Sequence, residues 1–448
     1  FKMGIKFVNW GKLGSDYHHA FGQSGKDIGG VRFYQYWLKS QALGKAKKYE
    51  DYTLNALASE EKRFMRSINA GNSPLSNIAY AFHFDASLFA KYLRKLSESW
   101  GVKRTEGKVI RVNQKDNGFI KSLILENGSE HQADFFIDCS GFKALLIGET
   151  LNTKFEDWRH WLPCDRAIAV ASENIEEPWS YTQAQAHKAG WQWRIPLQHR
   201  TGNGHVYSSK FMSDEEAKNI LLNHIKGHSL TEPKLIKFKT GHRKESWKKN
   251  CLAIGLASGF LEPLESTSLH LVQYGIEQLL NFFPTLNFDQ EDITEYNKQT
   301  NFEFERIRDF IILHYKVTSR DDSDFWDYCR TMTVPESITQ KIDQLKDLVK
   351  KTKADLALLN STWTTFIADK DTLTEEVDLA SVYCDKIAQV KYWTINGHLD
   401  YCAAKSDEYV KLIDDLQFEH NLTFDEELAC AIERLRLKIW NCKYWKLV

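Results

Sequence analysis

Residues 251–284 read CLAIGLASGFLEPLESTSLHLVQYGIEQLLNFFP, and the fold is legible from this stretch outward. Cys251 to Ala257 is a short apolar run closed by Ser258 and Gly259, the pattern of a strand covered on both faces. Glu262 and Glu265 then stand just before Ser266, Thr267 and Ser268, whose hydroxyls suit the unpaired N–H groups at a helix start. Beyond them Leu269, Val272, Ile276, Leu279, Leu280 and Phe283 recur at helical spacing, and Pro284 ends the helix. A helix start also presents the positive end of a macrodipole, so an anion can sit where Thr267 and Ser268 open the first turn, with Glu265 beside it. By spacing alone the stretch also fits an ordinary strand-to-helix crossover with a solvated glutamate and a hydroxyl cap.

The 448 residues suffice for one large or two associated domains with substantial cores. Lysines and arginines, 59 together, nearly cancel the 60 acidic residues, and no long basic run occurs. That balance argues against nucleic acid or an anionic membrane surface as the main partner. The 14 tryptophans suit flat apolar pockets or a bulky core. Eight cysteines, at 139, 164, 251, 329, 384, 402, 430 and 442, form no CxxC pair and no metal-ligand spacing, so no metal is expected. They read as reduced and mostly buried, which predicts a cytoplasmic protein. No apolar run reaches membrane-spanning length and no charged-then-apolar segment opens the chain.

From Lys2 to Val8 the sequence alternates, with Met3, Ile5 and Phe7 on one face and Lys2 and Lys6 projecting together on the other. The loop that follows, GKLGSDYHHAFGQSG, carries His18, His19 and Phe21, but its glycines do not form a dinucleotide fingerprint. Phe84 to Leu96 is expected to be helical, with Asp85 near its first turn. Ile110 and Val112 pair with Ile120, Leu123 and Leu125 around a turn at Asp116, Asn117 and Gly118. Ala133 to Phe142 is an apolar strand ending in small residues, an ending that lets a ligand approach the backbone. Strands alternating with helices predict an α/β core with ligands beyond the carboxyl ends of its parallel strands. In GWQWRIP, Gly190 to Pro196, an extended backbone puts Trp191 and Trp193 on one face as a wall of two stacked indoles, and Gln192 and Arg194 on the other. After Pro284 the chain turns to charged amphipathic helices, in Tyr296 to Tyr315, Ile338 to Lys351 and Lys411 to Leu437, with an aromatic patch at Tyr383, Tyr392, Trp393 and Tyr401. The expected division is a core of residues 1–284 and a mostly helical subdomain of residues 285–448, sharing a large interface.

Taken together, FKMGIKFVNW, GWQWRIP and GLASGFLEPLESTSLHL resemble flavin-dependent halogenases of the tryptophan halogenase family. DCSGFKALLIGETL at 138–151 and RDFIILHYKVTSRDDSDFW at 308–326 extend the likeness over nearly the whole chain. The Gly-Trp-x-Trp-x-Ile-Pro pattern is its most specific part, because it separates this family from flavin monooxygenases of related fold. The resemblance implies an FAD-binding, monooxygenase-like α/β core of Rossmann type, joined to a mostly α-helical C-terminal substrate subdomain. Two remote sites would be linked by a tunnel. Reduced FAD, supplied by a separate flavin reductase, would react with O2 and then chloride or bromide to give hypohalous acid. This acid would travel to Lys2 and become a haloamine or a hydrogen-bonded electrophile.

By the same likeness, Glu265 orients the electrophile or takes the proton from the halogenated ring, and the backbone of Thr267 and Ser268 holds the halide. Many relatives carry glycine where Ser268 stands. Ser258, Gly259, Trp191 and Trp193 fall on the cofactor side, with the indoles keeping substrate from the flavin. His19, Phe21, Tyr392 and Trp393 match substrate-pocket residues. The implied substrate is a small electron-rich aromatic compound, tryptophan or another indole or a phenol, and relatives are often homodimers. They also carry a glycine-rich FAD fingerprint ahead of the lysine. A chain that begins at Phe1 inside a strand is therefore expected to lack the N-terminal βαβ part of a longer protein, in preference to the alternative that the protein has lost its pyrophosphate cradle. Two other readings stay open here: a flavin monooxygenase that hydroxylates an aromatic substrate directly, and a non-catalytic small-molecule binding relative.

Overall fold

The alternation at the start of the chain builds the strand Gly4–Val8, and its apolar residues Ile5 and Phe7, with Met3 just ahead of it, are fully buried. This strand pairs antiparallel with Asp16–Ala20 on one side and parallel with Thr182–His187 on the other. A computed structural model describes residues 1–28 and 30–351 of the protein. Within them the chain forms two units: Phe1–Ser24 with Lys48–Lys346, and a second that holds residues 25–28, 30–47 and 347–351. In the second unit the helix Phe33–Ala42 is described, preceded by an Arg32–Asp27 ion pair. The stretch 411–437 and the aromatic residues Tyr383, Tyr392, Trp393 and Tyr401 lie outside the described residues.

The first unit is α/β. Its largest sheet has seven strands in the order Lys234–Lys237, Arg166–Ser172, Thr201–Tyr207, Gly190–Pro196, Thr182–His187, Gly4–Val8 and Asp16–Ala20. All neighbours are antiparallel except Gly4–Val8 beside Thr182–His187. The helices Gln290–Lys316 and Asp324–Thr331 cover the sheet, and Ile5, Phe7, Trp10, Trp191, Tyr315 and Trp326 fill the core between them. Each buried indole also satisfies its N–H: Trp10 donates to the Ala184 carbonyl at 3.0 Å, and Trp326 to that of His187 at 2.8 Å. At about 25 cal/mol per Å2 and about 200 Å2 each, such a side chain contributes at most about 5 kcal/mol of burial.

The stretch 251–284 folds as a shorter strand than its apolar run suggests. Cys251–Ala253 is extended and Gly255–Ala257 turns into a 3-10 helix. The strand lies parallel to Phe136–Asp138, with Ala253 opposite Asp138. Asn250 ties this pair to the expected hairpin of Val109–Gln114 and Ile120–Leu125: its Oδ1 accepts from the Ile120 N–H, and its Nδ2 donates to the carbonyls of Ile120 and Asp134. The helix expected after the hinge runs Ser268–Asn281, and the one expected from Phe84 runs Ala86–Ser99, capped by Asp85 through the N–H groups of Ser87 and Leu88. Residue 284 falls inside the first unit, where the helix Gln290–Lys316 packs on the helix Ser268–Asn281. The helix expected at 338–351 begins at residue 336.

Candidate active site

Lys2 is held from both ends. Its N–H donates to the Ala81 carbonyl at 2.8 Å and its carbonyl accepts from Ala81 at 2.7 Å, which fixes the backbone beside the strand Gly4–Val8. The side chain is shut away from solvent, 4% exposed, and Nζ donates to Ser266 Oγ at 2.7 Å. The amine also lies 5.4 Å from the centre of the Phe21 ring. Lys6, expected to project on the same face as Lys2, takes other partners, Glu60 at 2.7 Å and Asp16 at 3.2 Å. Burial lowers the Lys2 amine to about 8, against the attraction of Glu265. His83, which shares a 3.0 Å hydrogen bond with Thr182, is pushed down to about 3 by burial and then by the charge of Lys2.

Glu265 faces this amine from the turn Pro263–Glu265, and its side chain is only 4% exposed. Oε2 and Oε1 lie 2.9 and 3.1 Å from His19 Nδ1. His314 Nε2 lies 2.8 Å from Oε1, a close contact not aimed along the hydrogen-bond direction, while its Nδ1 meets Tyr17 OH at 2.9 Å. Burial pushes the carboxyl up, but the two imidazoles outweigh it and hold Glu265 down to about 2. Hydrogen bonding to Glu265 in turn raises His19, against burial. The site therefore holds a fixed negative charge between two imidazoles, close to a partly deprotonated amine.

A pH dependence with a definite sign follows. The depressed Glu265 contributes stability that is present above its ordinary 4.5 and lost as pH falls towards 2. The raised His19 contributes stability that is present below its ordinary 6.5 and lost as pH rises through its folded value. His19→Gln should therefore lower the unfolding temperature most at about pH 5.5, where both contributions count, and much less at about pH 9. Thermal unfolding at the two pH values checks this, and equal deficits would remove the ion pair from the account.

Next to Glu265 the backbone of Ser266 is left-handed, at φ 58° and ψ 33°, which brings its hydroxyl to Lys2. The helix then starts at Ser268 without the side-chain cap that its residue types predict, and Thr267 Oγ1 is buried with no partner among the described residues. An uncapped start and an orphaned hydroxyl suit an anion there. The indoles of Trp191 and Trp193 do lie together, but edge-on, 6.2 Å apart at 60°, rather than stacked. Trp193 lies across Gly204, where any Cβ would enter its ring. Gln192 and Arg194 take other partners, His187 at 3.2 Å and Glu176 at 2.7 Å.

The chain matches the tryptophan halogenase family over residues 1–385. It belongs to that family. A flavin-dependent halogenase from Brevundimonas sp. BAL3 is 48% identical, with a TM-score of 0.75 over 76% of this chain and 70% of its own. A flavin-dependent halogenase from Xanthomonas campestris is 44% identical, with a TM-score of 0.74 over 77% of this chain and 68% of its own. A tryptophan 6-halogenase of Streptomyces toxytricini is 30% identical over 77% of this chain and 70% of its own. Enzymes of this family are oxidoreductases.

The parallel strands Phe136–Asp138 and Cys251–Ala253 end side by side, the kind of edge at which an α/β fold takes a ligand such as a flavin. Gly141 and Gly255 follow them at φ 72° and 70°, and a Cβ on Gly141 would meet nothing within 4 Å, so the backbone there is open to a ligand. Ser258 and Gly259 lie behind this edge. Ser258 is 6% exposed and bonds the Gly255 carbonyl, and a Cβ on Gly259 would sit 2.6 Å from that of His242. Trp191 is also buried. The structure thus brings Lys2, Glu265, His19 and Phe21 together, with Thr267 and Ser268 adjacent in sequence, whereas Tyr392 and Trp393 lie outside the described residues. Sequence reasoning missed His314, Tyr17 and His83, and gave Ser266 only as a hydroxyl for the helix start rather than as the partner of Lys2. For His314 the signal was a lone imidazole between the apolar run Phe310–Leu313 and the buried Tyr315, on a helix that packs inward.

Proposed function

We propose that this chain halogenates an electron-rich aromatic compound, tryptophan or another indole or a phenol, using reduced FAD, O2 and chloride or bromide, and that Lys2 delivers the halogen. The observation that carries this reading is the buried amine held between Ser266, Phe21 and the charge of Glu265. Bound flavin would supply the reduction of O2 and the oxidation of halide, with Ser258, Gly259, Trp191 and Trp193 forming the wall behind it and a flavin reductase renewing it. Thr267 and Ser268 would hold the halide at the uncapped helix start. We assign residues 1–284 to the flavin core, of Rossmann type, and residues 285–448 mainly to the substrate module, to which Tyr392 and Trp393 belong.

Hypohalous acid reaching Lys2 has two courses. A neutral amine attacks the halogen, forming an N–halogen bond as the O–halogen bond breaks, and the departing hydroxide takes the amine proton as water. A charged amine instead donates to the acid's oxygen and polarises its bond to halogen. In both, a ring carbon bonds the halogen and the electron pair of the broken bond stays on the leaving atom. Oxygen leaves as water with a proton from the ammonium, and nitrogen becomes an amine again once the proton given up by the ring reaches it through Glu265. The ring proton then leaves to Glu265. A halogenated ring cation is so acidic that a carboxylate near 2 suffices as acceptor, and its fixed charge also stabilises that cation. Incubation with a flavin reductase, halide and a panel of indoles and phenols tests the reading. Halogen isotope patterns in the product are expected, whereas a hydroxylated product formed without halide would establish a monooxygenase instead.

A further inference from the structure

Glu262 stands three residues before Glu265, yet its side chain is closed inside the core at 0% exposure. Its Oε2 accepts two hydrogen bonds, from Trp191 Nε1 at 2.8 Å and from Tyr315 OH at 2.5 Å. Its Oε1 is buried with no partner among the described residues. Three segments meet at this carboxyl. They are the GWQWRIP strand, the turn bearing Glu265 and Ser266, and the helix Gln290–Lys316, whose His314 touches Glu265. We propose that Glu262 is a positioning residue: by accepting from Trp191 and Tyr315 it fixes the turn that carries Glu265 and Ser266, and through them the amine of Lys2. Its meaning for catalysis rests on the reading of Lys2 and Glu265 above, but its geometric content does not.

The chemistry of the pocket supports an acceptor rather than a charge. The titratable groups that face Glu262 are Tyr315, Cys164 and Cys329, and no lysine, arginine or histidine among the described residues offsets its burial. Burial pushes the carboxyl up to about 7, against the two hydrogen bonds. Its raised value means that its stabilising share is complete below the ordinary 4.5 and is lost as pH rises through about 7. A glutamine keeps the acceptor, never ionises and nearly matches the shape. An alanine leaves the Trp191 and Tyr315 donors stranded in the core.

The test reads Lys2 without turnover. Acetylation of Lys2 by an amine-reactive ester is followed by peptide mass spectrometry from pH 6 to 10, with circular dichroism confirming the fold of each variant. The wild-type midpoint is expected at about 8. Glu262→Gln should keep it, and Glu262→Ala should move it towards an ordinary lysine by about half a unit or more. Trp191→Phe and Tyr315→Phe each remove one donor while keeping a ring, and should shift it the same way by less. They decide the matter if the alanine variant does not fold. An unmoved midpoint in folded Glu262→Ala, or in both phenylalanine variants where alanine fails to fold, overturns the proposal. So does a glutamine variant that shifts as far as alanine. A halogenation assay on the same samples keeps the two ideas apart: labelling shifts without halogenation by wild type would sink the proposed reaction and leave the positioning role standing.

Discussion

Replacing Lys2 with methionine is expected to lower aromatic halogenation by about three orders of magnitude or more, while flavin oxidation and release of hypohalous acid continue. Methionine fills nearly the same buried volume, and the backbone of residue 2 stays pinned to Ala81, so the fold should survive. What disappears is the amine that Ser266 and Glu265 hold in place. Trapping of free hypohalous acid by an external phenol, beside a product assay, separates loss of delivery from loss of halogen oxidation. Wild-type rate and ring position in the variant would take Lys2 out of the mechanism. The wild-type rate should also inflect near pH 8, where about half the amine is neutral. A rate rising through that pH favours the haloamine, and a rate falling through it favours the hydrogen-bonded acid.

The parts of this site set by local pattern were readable from the chain. Alternation placed Met3, Ile5 and Phe7 in the core, and helical spacing from Leu269 onward placed Thr267 and Ser268 at a helix start. The parts set by tertiary packing were not. Nothing in the spacing of residues 2–8 separates a solvated lysine from a buried one; the difference comes from residues 81 and 266, distant in sequence. The same holds for Glu265, whose charge is fixed by His19 and by His314 from a helix some fifty positions onward. The missing cap at Thr267 follows from its backbone, which at φ −84° and ψ −9° is already helical rather than extended as a capping residue requires. The neighbouring Ser266 takes a left-handed backbone, and its hydroxyl accepts from Lys2 instead of capping the helix. The indoles of GWQWRIP share a face as period two requires, but strand geometry does not set ring planes, and the pair meets edge-on.

Glu265→Gln should reduce halogenation by roughly two or more orders of magnitude, and the cause can be told from a second observable. The amide cannot accept the ring proton. It also withdraws the negative charge that faces Lys2, and since that charge raises the amine, its removal should move the inflection near pH 8 downward. His19, held up by its hydrogen bond to Glu265, should titrate lower for the same reason. Glu265→Asp keeps the charge but is one methylene shorter, so it cannot hold both imidazoles as before and should give an intermediate rate with the inflection nearly in place. The three observables separate the possible roles. A Gln variant with a lowered rate and an unmoved inflection would make Glu265 a proton acceptor that does not tune Lys2. A lowered inflection with a wild-type rate would make it a tuning charge alone. Neither change would leave it as a residue that only braces His19 and His314.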